Sequence, residues 1–229
     1  MDDFTWSDPP SRWAFAIASA GYPLLLGSAF ITLVLALLGL TPLALAALAG
    51  TICIAGFFRD PDRVIPNRPG LVVSPADGRV ICVERSRSDA FFDAEMTKIS
   101  IFMSVFNVHV NRIPAEGQIY RIRYRPGTFV AADRAEASMR NEHNAVFIET
   151  SSGKRLCLVQ VAGLIARRII CRVQEDESVR RGQRFGMICF GSRLDVYLPP
   201  EIRLAVALGD KVLAGSSILG RFEDIATAR

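Results

Sequence analysis

The stretch Met187-Ile188-Cys189-Phe190-Gly191-Ser192-Arg193-Leu194-Asp195-Val196-Tyr197-Leu198-Pro199 joins two apolar runs at a Gly-Ser pair. Glycine reaches backbone conformations closed to other residues, so Gly191 permits a strained peptide bond. Ser192 places a hydroxyl next to that bond's carbonyl. These are the ingredients of an N-to-O acyl shift, in which a chain exchanges one of its own amides for an ester. Taken alone, a Gly-Ser pair between strands reads as a turn or bulge. Imidazole is the usual base for such a step, because its neutral form accepts a proton near neutral pH. The chain has two histidines, His109 and His143. His109 alternates with Val108 and Val110, which puts it on the opposite strand face from both. The bland reading is a hydrogen-bonded structural histidine. Asp77 lies in Pro75-Ala76-Asp77-Gly78, an ordinary turn sequence.

The elements that must position these residues follow from the hydrophobic pattern. In 229 residues there is room for one globular domain and an appendage. Residues 14–58 contain no Asp, Glu, Lys or Arg, and the run divides at Thr41-Pro42. The first arm, residues 14–40, is long enough to span a bilayer; the second, 43–58, falls a little short of the ~30 Å hydrocarbon core. An acidic N-terminus and the length of the run argue against a signal peptide. The pattern predicts a helical hairpin over residues 1–58 that anchors the chain in the cell membrane, either spanning it or dipping into one leaflet. Arg12 before it and Arg59, Arg63 and Arg68 after it put the remaining domain on the cytoplasmic side. A buried helical pair in a soluble protein is the alternative.

After residue 70 short alternating runs take over. Residues 79–84, 97–103, 118–124, 145–150, 155–161, 168–173, 187–190, 193–198 and 202–206 read as strands. Ser151-Ser152-Gly153-Lys154 reads as a hairpin turn, and 133–140 as the one helix of this half. The expected fold is mainly β (α+β): a compact antiparallel β domain over 59–229, behind the hairpin. The turns at Gly209 and Gly215 are like those of small lipoyl-like β sandwiches, an analogy of fold alone. Net charge is +4, with the positive excess in the β part. That suits an anionic membrane face better than nucleic acid, because the basic residues are scattered. Five cysteines without a C-x-x-C pair predict neither a disulfide framework nor a metal site, and fit a reducing compartment.

Five segments stand in order: Phe57-Phe58-Arg59-Asp60-Pro61-Asp62-Arg63, Val72-Val73-Ser74-Pro75-Ala76-Asp77-Gly78, Phe102-Met103-Ser104, Asn107-Val108-His109-Val110-Asn111-Arg112-Ile113-Pro114 and Phe190-Gly191-Ser192-Arg193. From about Arg59 to Gly220 the chain resembles the short bacterial and archaeal class of phosphatidylserine decarboxylases. The resemblance implies a proenzyme that cuts itself between Gly191 and Ser192 into fragments 1–191 and 192–229. Ser192 would become a pyruvoyl group, the covalent cofactor, on the small fragment. It also implies that His109 and Asp77 support the cut, His109 as base and Asp77 as the group that orients and stabilises the imidazole. The implied reaction converts membrane phosphatidylserine to phosphatidylethanolamine and CO2. A pyruvoyl ketone condenses with the substrate amine as a Schiff base and accepts the electrons released at Cα.

Two departures from the pattern matter. Longer relatives carry a second His three positions on, where Arg112 stands; its guanidinium suits the lipid phosphate instead. His143 replaces an Arg and is left out of the site. Leu213-Ala214-Gly215-Ser216-Ser217 is a second Gly-Ser pair, but the resemblance implies a cleaved pair followed by an alternating strand that ends near a Pro, as 194–199 does, and Ser216 leaves only 14 residues downstream. Other readings are a non-catalytic membrane-anchored domain that binds lipid or a partner, and a decarboxylase of a related serine phospholipid. Whether the chain forms a homo-oligomer is left open.

Overall fold

A computed structural model describes residues 4–5, 16–87, 91–92, 94–130, 140–163, 168–189 and 192–222. The chain divides into two compact units, Pro10–Asp62 and Arg63–Arg229, the latter joined by Met1–Pro9.

In the helical unit a short 3₁₀ turn, Ser19–Gly21, leads into α1 (Tyr22–Leu37), and α2 (Thr41–Phe57) follows. Each helix has a proline in its first turn, where the missing N–H is no loss. Gly39, at φ +72°, stops α1. Its N–H reaches the Ala36 carbonyl and that of Leu40 reaches Leu35, the paired bonds of a Schellman end. The helices touch through the Thr32 and Thr51 hydroxyls, 3.2 Å apart. Backbone bonds from Ala18 to the Phe58 carbonyl and from Asp60 to the Ala16 carbonyl close the base. Large apolar side chains stay exposed on several sides: Leu24, Leu26, Phe30 and Ile31 on α1, Leu45 and Ile52 on α2. The stretch Ser19–Leu37 is long and apolar enough to cross a membrane; Thr41–Phe57 is shorter.

The β unit contains β1 (Phe4–Thr5), β2 (Ile65–Pro66), β3 (Leu71–Val73), β4 (Gly78–Arg87), β5 (Glu95–Met103), β6 (Val110–Arg112), β7 (Gly117–Arg125) and β8 (His143–Glu149). Then come β9 (Arg155–Val161), β10 (Ile169–Cys171), β11 (Ser178–Val179), β12 (Arg184–Ile188), β13 (Ser192–Leu198), β14 (Arg203–Leu204), β15 (Lys211–Val212) and β16 (Ile218–Arg221). Eight of them form one sheet in the order β11-β7-β8-β9-β13-β5-β4-β15; β10-β12-β6 and β14-β16-β3 form two smaller sheets, and β1 pairs with β2. The pairings are antiparallel throughout, so the expected mainly antiparallel β fold is what the chain adopts.

Alternation gives the large sheet two apolar faces. Ile99, Ile101 and Met103 of β5, Leu156 and Leu158 of β9, and Leu194, Val196 and Leu198 of β13 share one core with Phe185 and Ile188 of β12. Ala145, Phe147, Cys157, Val159, Val161 and Tyr197 form a second core on the other face. The strands expected around residues 79–84, 97–103, 118–124, 145–150, 155–161 and 193–198 are present. The Thr150 N–H bonded to the Lys154 carbonyl, with Gly153 at φ +73°, makes the expected hairpin turn. Near 187–190 the strand instead spans Arg184–Ile188 and bulges between Arg184 and Gly186. The run at 202–206 pairs only over Arg203–Leu204. The helix expected at 133–140 lies outside the described residues except for Arg140.

Candidate active site

β12 and β13 belong to different sheets, so the chain crosses from one to the other between Ile188 and Ser192. Residues 190–191, Gly191 among them, lie outside the described residues. Ser192 opens β13 opposite Met103 of β5. In an unbroken strand its side chain shares a face with Leu194, the face toward β12 and β6. Ser192 is wholly buried, and its Oγ has no hydrogen-bond partner among the described residues. Native structures rarely leave a buried hydroxyl so, since the lost solvation costs about 1–3 kcal/mol.

His109 is equally buried and stands directly before β6. Its carbonyl accepts from the Ile188 N–H at 3.4 Å, which sets it beside the strand that leads to the junction. Its Nδ1 lies 2.9 Å from the Asn107 carbonyl. A carbonyl can only accept, so Nδ1 carries the proton and Nε2 is the basic nitrogen. Asn107 is itself fixed, its Oδ1 accepting from the Ser104 N–H at 2.9 Å and hydroxyl at 2.8 Å.

Two residues on, Asn111 reaches from β6 to the large sheet, its Nδ2 3.7 Å from Met103 Sδ. Its Oδ1 accepts from Gln160 Nε2 at 2.9 Å, and Gln160 Oε1 accepts from Asn144 Nδ2 at 3.1 Å. All three amides are buried. Gly186 leaves room for them: a β-carbon there would sit 2.8 Å from Gln160 Nε2.

The remaining candidates are held by contacts of their own. The Asp77 carboxylate accepts from the Arg63 guanidinium and from the Ala214 N–H, both at 2.7 Å. β5 separates its strand from β13, and at ~4.8 Å per strand the two backbones stand about 10 Å apart. Arg112 is buried and donates to the Gly182 carbonyl at 2.9 Å. His143 pairs through Val161 with Arg193, on the face away from Ser192, with Nδ1 2.9 Å from the Asn141 carbonyl. On that same face Arg193 grips Asp195 through Nε at 2.9 Å and a terminal nitrogen at 3.2 Å, pinning β13 just past Ser192. Ser216, the rival serine, is partly buried and donates its hydroxyl to the Val64 carbonyl at 3.0 Å.

Burial pushes the Cys189 thiol up against the lowering effect of Arg168, so this thiol three residues from Ser192 stays protonated and is no rival nucleophile. Among the described residues no group of His, Cys, Asp and Glu could hold a metal. The arrangement instead supplies a buried hydroxyl, a buried imidazole whose Nδ1 meets the Asn107 carbonyl, and a line of amides that reaches Met103, the ladder partner of Ser192.

A family profile described as phosphatidylserine decarboxylase matches residues 51–220. The chain belongs to the phosphatidylserine decarboxylase family. It is 50% identical to the phosphatidylserine decarboxylase proenzyme of Geotalea uraniireducens over 89% of this chain and 95% of that one. It is 45% identical to the proenzyme of Desulfotalea psychrophila over 90% and 96%, and 46% identical to that of Nitrosomonas eutropha over 90% and 95%.

Sequence reading in terms of decarboxylase motifs passed over Asn111, Gln160 and Asn144. A signal existed in β9: Leu156 and Leu158 face the core, and the alternation puts the Gln160 amide where a third apolar side chain belongs. An inward amide in a fully buried strand needs a partner, and its partners lead to Asn111.

Proposed function

We propose that this chain decarboxylates phosphatidylserine to phosphatidylethanolamine and CO2, using a pyruvoyl group that it makes from Ser192 by cutting itself after Gly191. The observation that carries the assignment of Ser192 is its buried, unpartnered hydroxyl at the crossing between sheets, in a chain of this family. The residues present fit the group, because that hydroxyl is lost when the group forms and its orphaned state goes with it.

In the cut, His109 Nε2 takes the Ser192 Oγ proton as Oγ joins the Gly191 carbonyl carbon. The proton then passes to the Ser192 nitrogen as the C–N bond breaks, leaving an ester. Loss of the Ser192 Cα proton expels the Gly191 carboxylate and leaves dehydroalanine, which water converts to the pyruvoyl ketone and ammonia. Burial keeps bulk water from hydrolysing the ester first. The ketone supplies an electron sink for the carbanion that CO2 loss creates. With Ser192 Oγ gone, His109 Nε2 is the group that returns a proton to the substrate Cα. Asp77 supports the site by holding Arg63 and the Ala214 turn. Arg112 is the candidate for the lipid phosphate, with one guanidinium nitrogen on the Gly182 carbonyl.

The substrate never leaves the bilayer surface, and the apolar helices α1 and α2 keep the chain there, with Arg12 and Arg59 flanking them on the cytoplasmic side. The turn between Met103 and His109 carries Phe106, 83% exposed, as an apolar tip close to the site. Intact mass of the purified protein tests the reading: two chains, 1–191 and 192–229, the smaller lacking an α-amine and resisting Edman sequencing, with phosphatidylethanolamine formed from phosphatidylserine vesicles. A single uncut, active chain would remove the pyruvoyl mechanism.

A further inference from the structure

The buried amide line ends in a donor aimed at a poor acceptor. Asn111 Oδ1 is taken by Gln160, and the hydrogen-bond contact of its Nδ2 is the Met103 thioether at 3.7 Å. Sulfur of this kind accepts only weakly. The direction of the line is set by chemistry. If all three amides were reversed, Asn111 Oδ1 would face the sulfur, two acceptors with no hydrogen between them. Nδ2 therefore points at Met103, and Met103 is the ladder partner of Ser192. Directly opposed residues hold their β-carbons about 4.5–5.5 Å apart on the same face, so a strong, weakly engaged N–H donor lies against the side chain that stands opposite Ser192.

Resting on the proposed self-cleavage, we propose that Asn111 Nδ2 is the oxyanion donor of the acyl shift. When Ser192 Oγ bonds to the Gly191 carbonyl carbon, the carbonyl oxygen becomes an oxyanion, and the Oγ proton goes to His109 Nε2. Asn111 exchanges its sulfur contact for this oxyanion, and neither gains nor loses a proton. The oxyanion collapses as the C–N bond breaks and His109 returns the proton to nitrogen. A donor that binds the charge far better than it binds the resting state lowers the barrier. Gln160 and Asn144 are positioning residues that keep the Asn111 amide turned donor-side to Ser192.

The test follows cutting of the newly made full chain in a pulse-chase. Asn111→Leu should slow the cut about 10²–10³-fold, the usual cost of a lost oxyanion donor. Gln160→Glu should slow it comparably, because a carboxylate only accepts, draws Nδ2 toward itself and turns Oδ1 to Ser192. Folding is read separately in an uncuttable Ser192→Ala background, where adding Asn111→Leu or Gln160→Glu should leave a cooperative melting transition. Hydroxylamine cleaves an accumulated ester but not an amide, so it should not release the 38-residue fragment from either variant. Cutting at the parental rate in Asn111→Leu overturns the proposal. So does rapid hydroxylamine release, which would move Asn111 to the elimination step, or loss of the melting transition with parental cutting in Gln160→Glu. A parental chain that stays whole would instead overturn the self-cleavage reading on which this rests.

Discussion

Ser192 stands where a hydroxyl is hardest to justify by stability alone: wholly buried, without a partner among the described residues, in a strand whose other inward residues are Leu194, Val196 and Leu198. Removing an unsatisfied buried group is close to neutral or favourable. Ser192→Ala should therefore stay a single 229-residue chain, unfold no more easily than other uncut variants, and lack activity; mass and urea titration check both. Ser216→Ala should still be cut, since that hydroxyl only holds the Val64 carbonyl. His109 and Asp77 separate on the same measurements. His109→Ala should leave most chains uncut while retaining the fold. Asp77→Asn weakens a buried contact to Arg63 and should cost about 2 kcal/mol in urea unfolding while slowing the cut modestly. If Arg63→Ala reproduces both effects, Asp77 acts through the turn it holds; full-speed cutting in all three variants would reduce these residues to structure.

At the scale of elements, two features invite intervention. Gly186 in β12 faces the Gln160 amide, and Gly186→Val should both destabilise the chain and slow the cut, because a side chain there displaces the line that reaches Asn111. The check is whether a Ser192→Ala background still melts cooperatively. The hairpin of α1 and α2 exposes apolar side chains around its surface instead of along one stripe, as lipid-facing helices do. Deleting residues 1–58 should release the β unit from sedimenting membranes and leave the cut intact, because Ser192, His109 and Asn111 all lie downstream. The deletion also removes β1, which pairs with the short strand β2. A truncated chain that still floats with vesicles would show that another surface, such as the Phe106 tip, holds the membrane.

For the whole molecule, cutting after Gly191 need not mean separation. β13 lies between β9 and β5 near the middle of the large sheet with all seven residues buried, while β14 and β16 join the sheet of β3. Burying Leu194, Val196 and Leu198 alone contributes roughly 1.5–3 kcal/mol each. Fragments 1–191 and 192–229 should co-elute in native gel filtration and part only in denaturant. Within the larger fragment, acid should weaken an identifiable contact. Burial would raise the Glu116 carboxyl, but the hydrogen bonds and charge of Arg181 outweigh it and hold it below its ordinary value. Arg181 also donates to the carbonyls of Pro66 and Arg68. A carboxylate lowered in the folded state adds stability above its unfolded pKa and loses it as pH falls through the folded value. Arg181→Ala should flatten that part of the stability-pH curve, with a small change because Glu116 is half exposed.

The sequence by itself determined what is local or periodic. Charge-free length gave the helical hairpin, period-two alternation gave the long strands, and the ordered motifs around Asp77, His109 and Ser192 led to the family. Those signals lie within a few residues of one another, so the chain carries them without being folded. Tertiary structure decided what depends on which strands meet. β6, at three residues, is too short for alternation to register, yet it brings Asn111 to the large sheet. The Asn107 carbonyl at His109 Nδ1 and the Arg63 guanidinium at Asp77 are contacts that the motifs alone do not show. Asn144, Gln160 and Asn111 lie far apart in sequence and become one line only because β8, β9 and β6 stack their inward faces. A hydrogen bond across that distance is set by strand order and register, which no stretch of sequence contains.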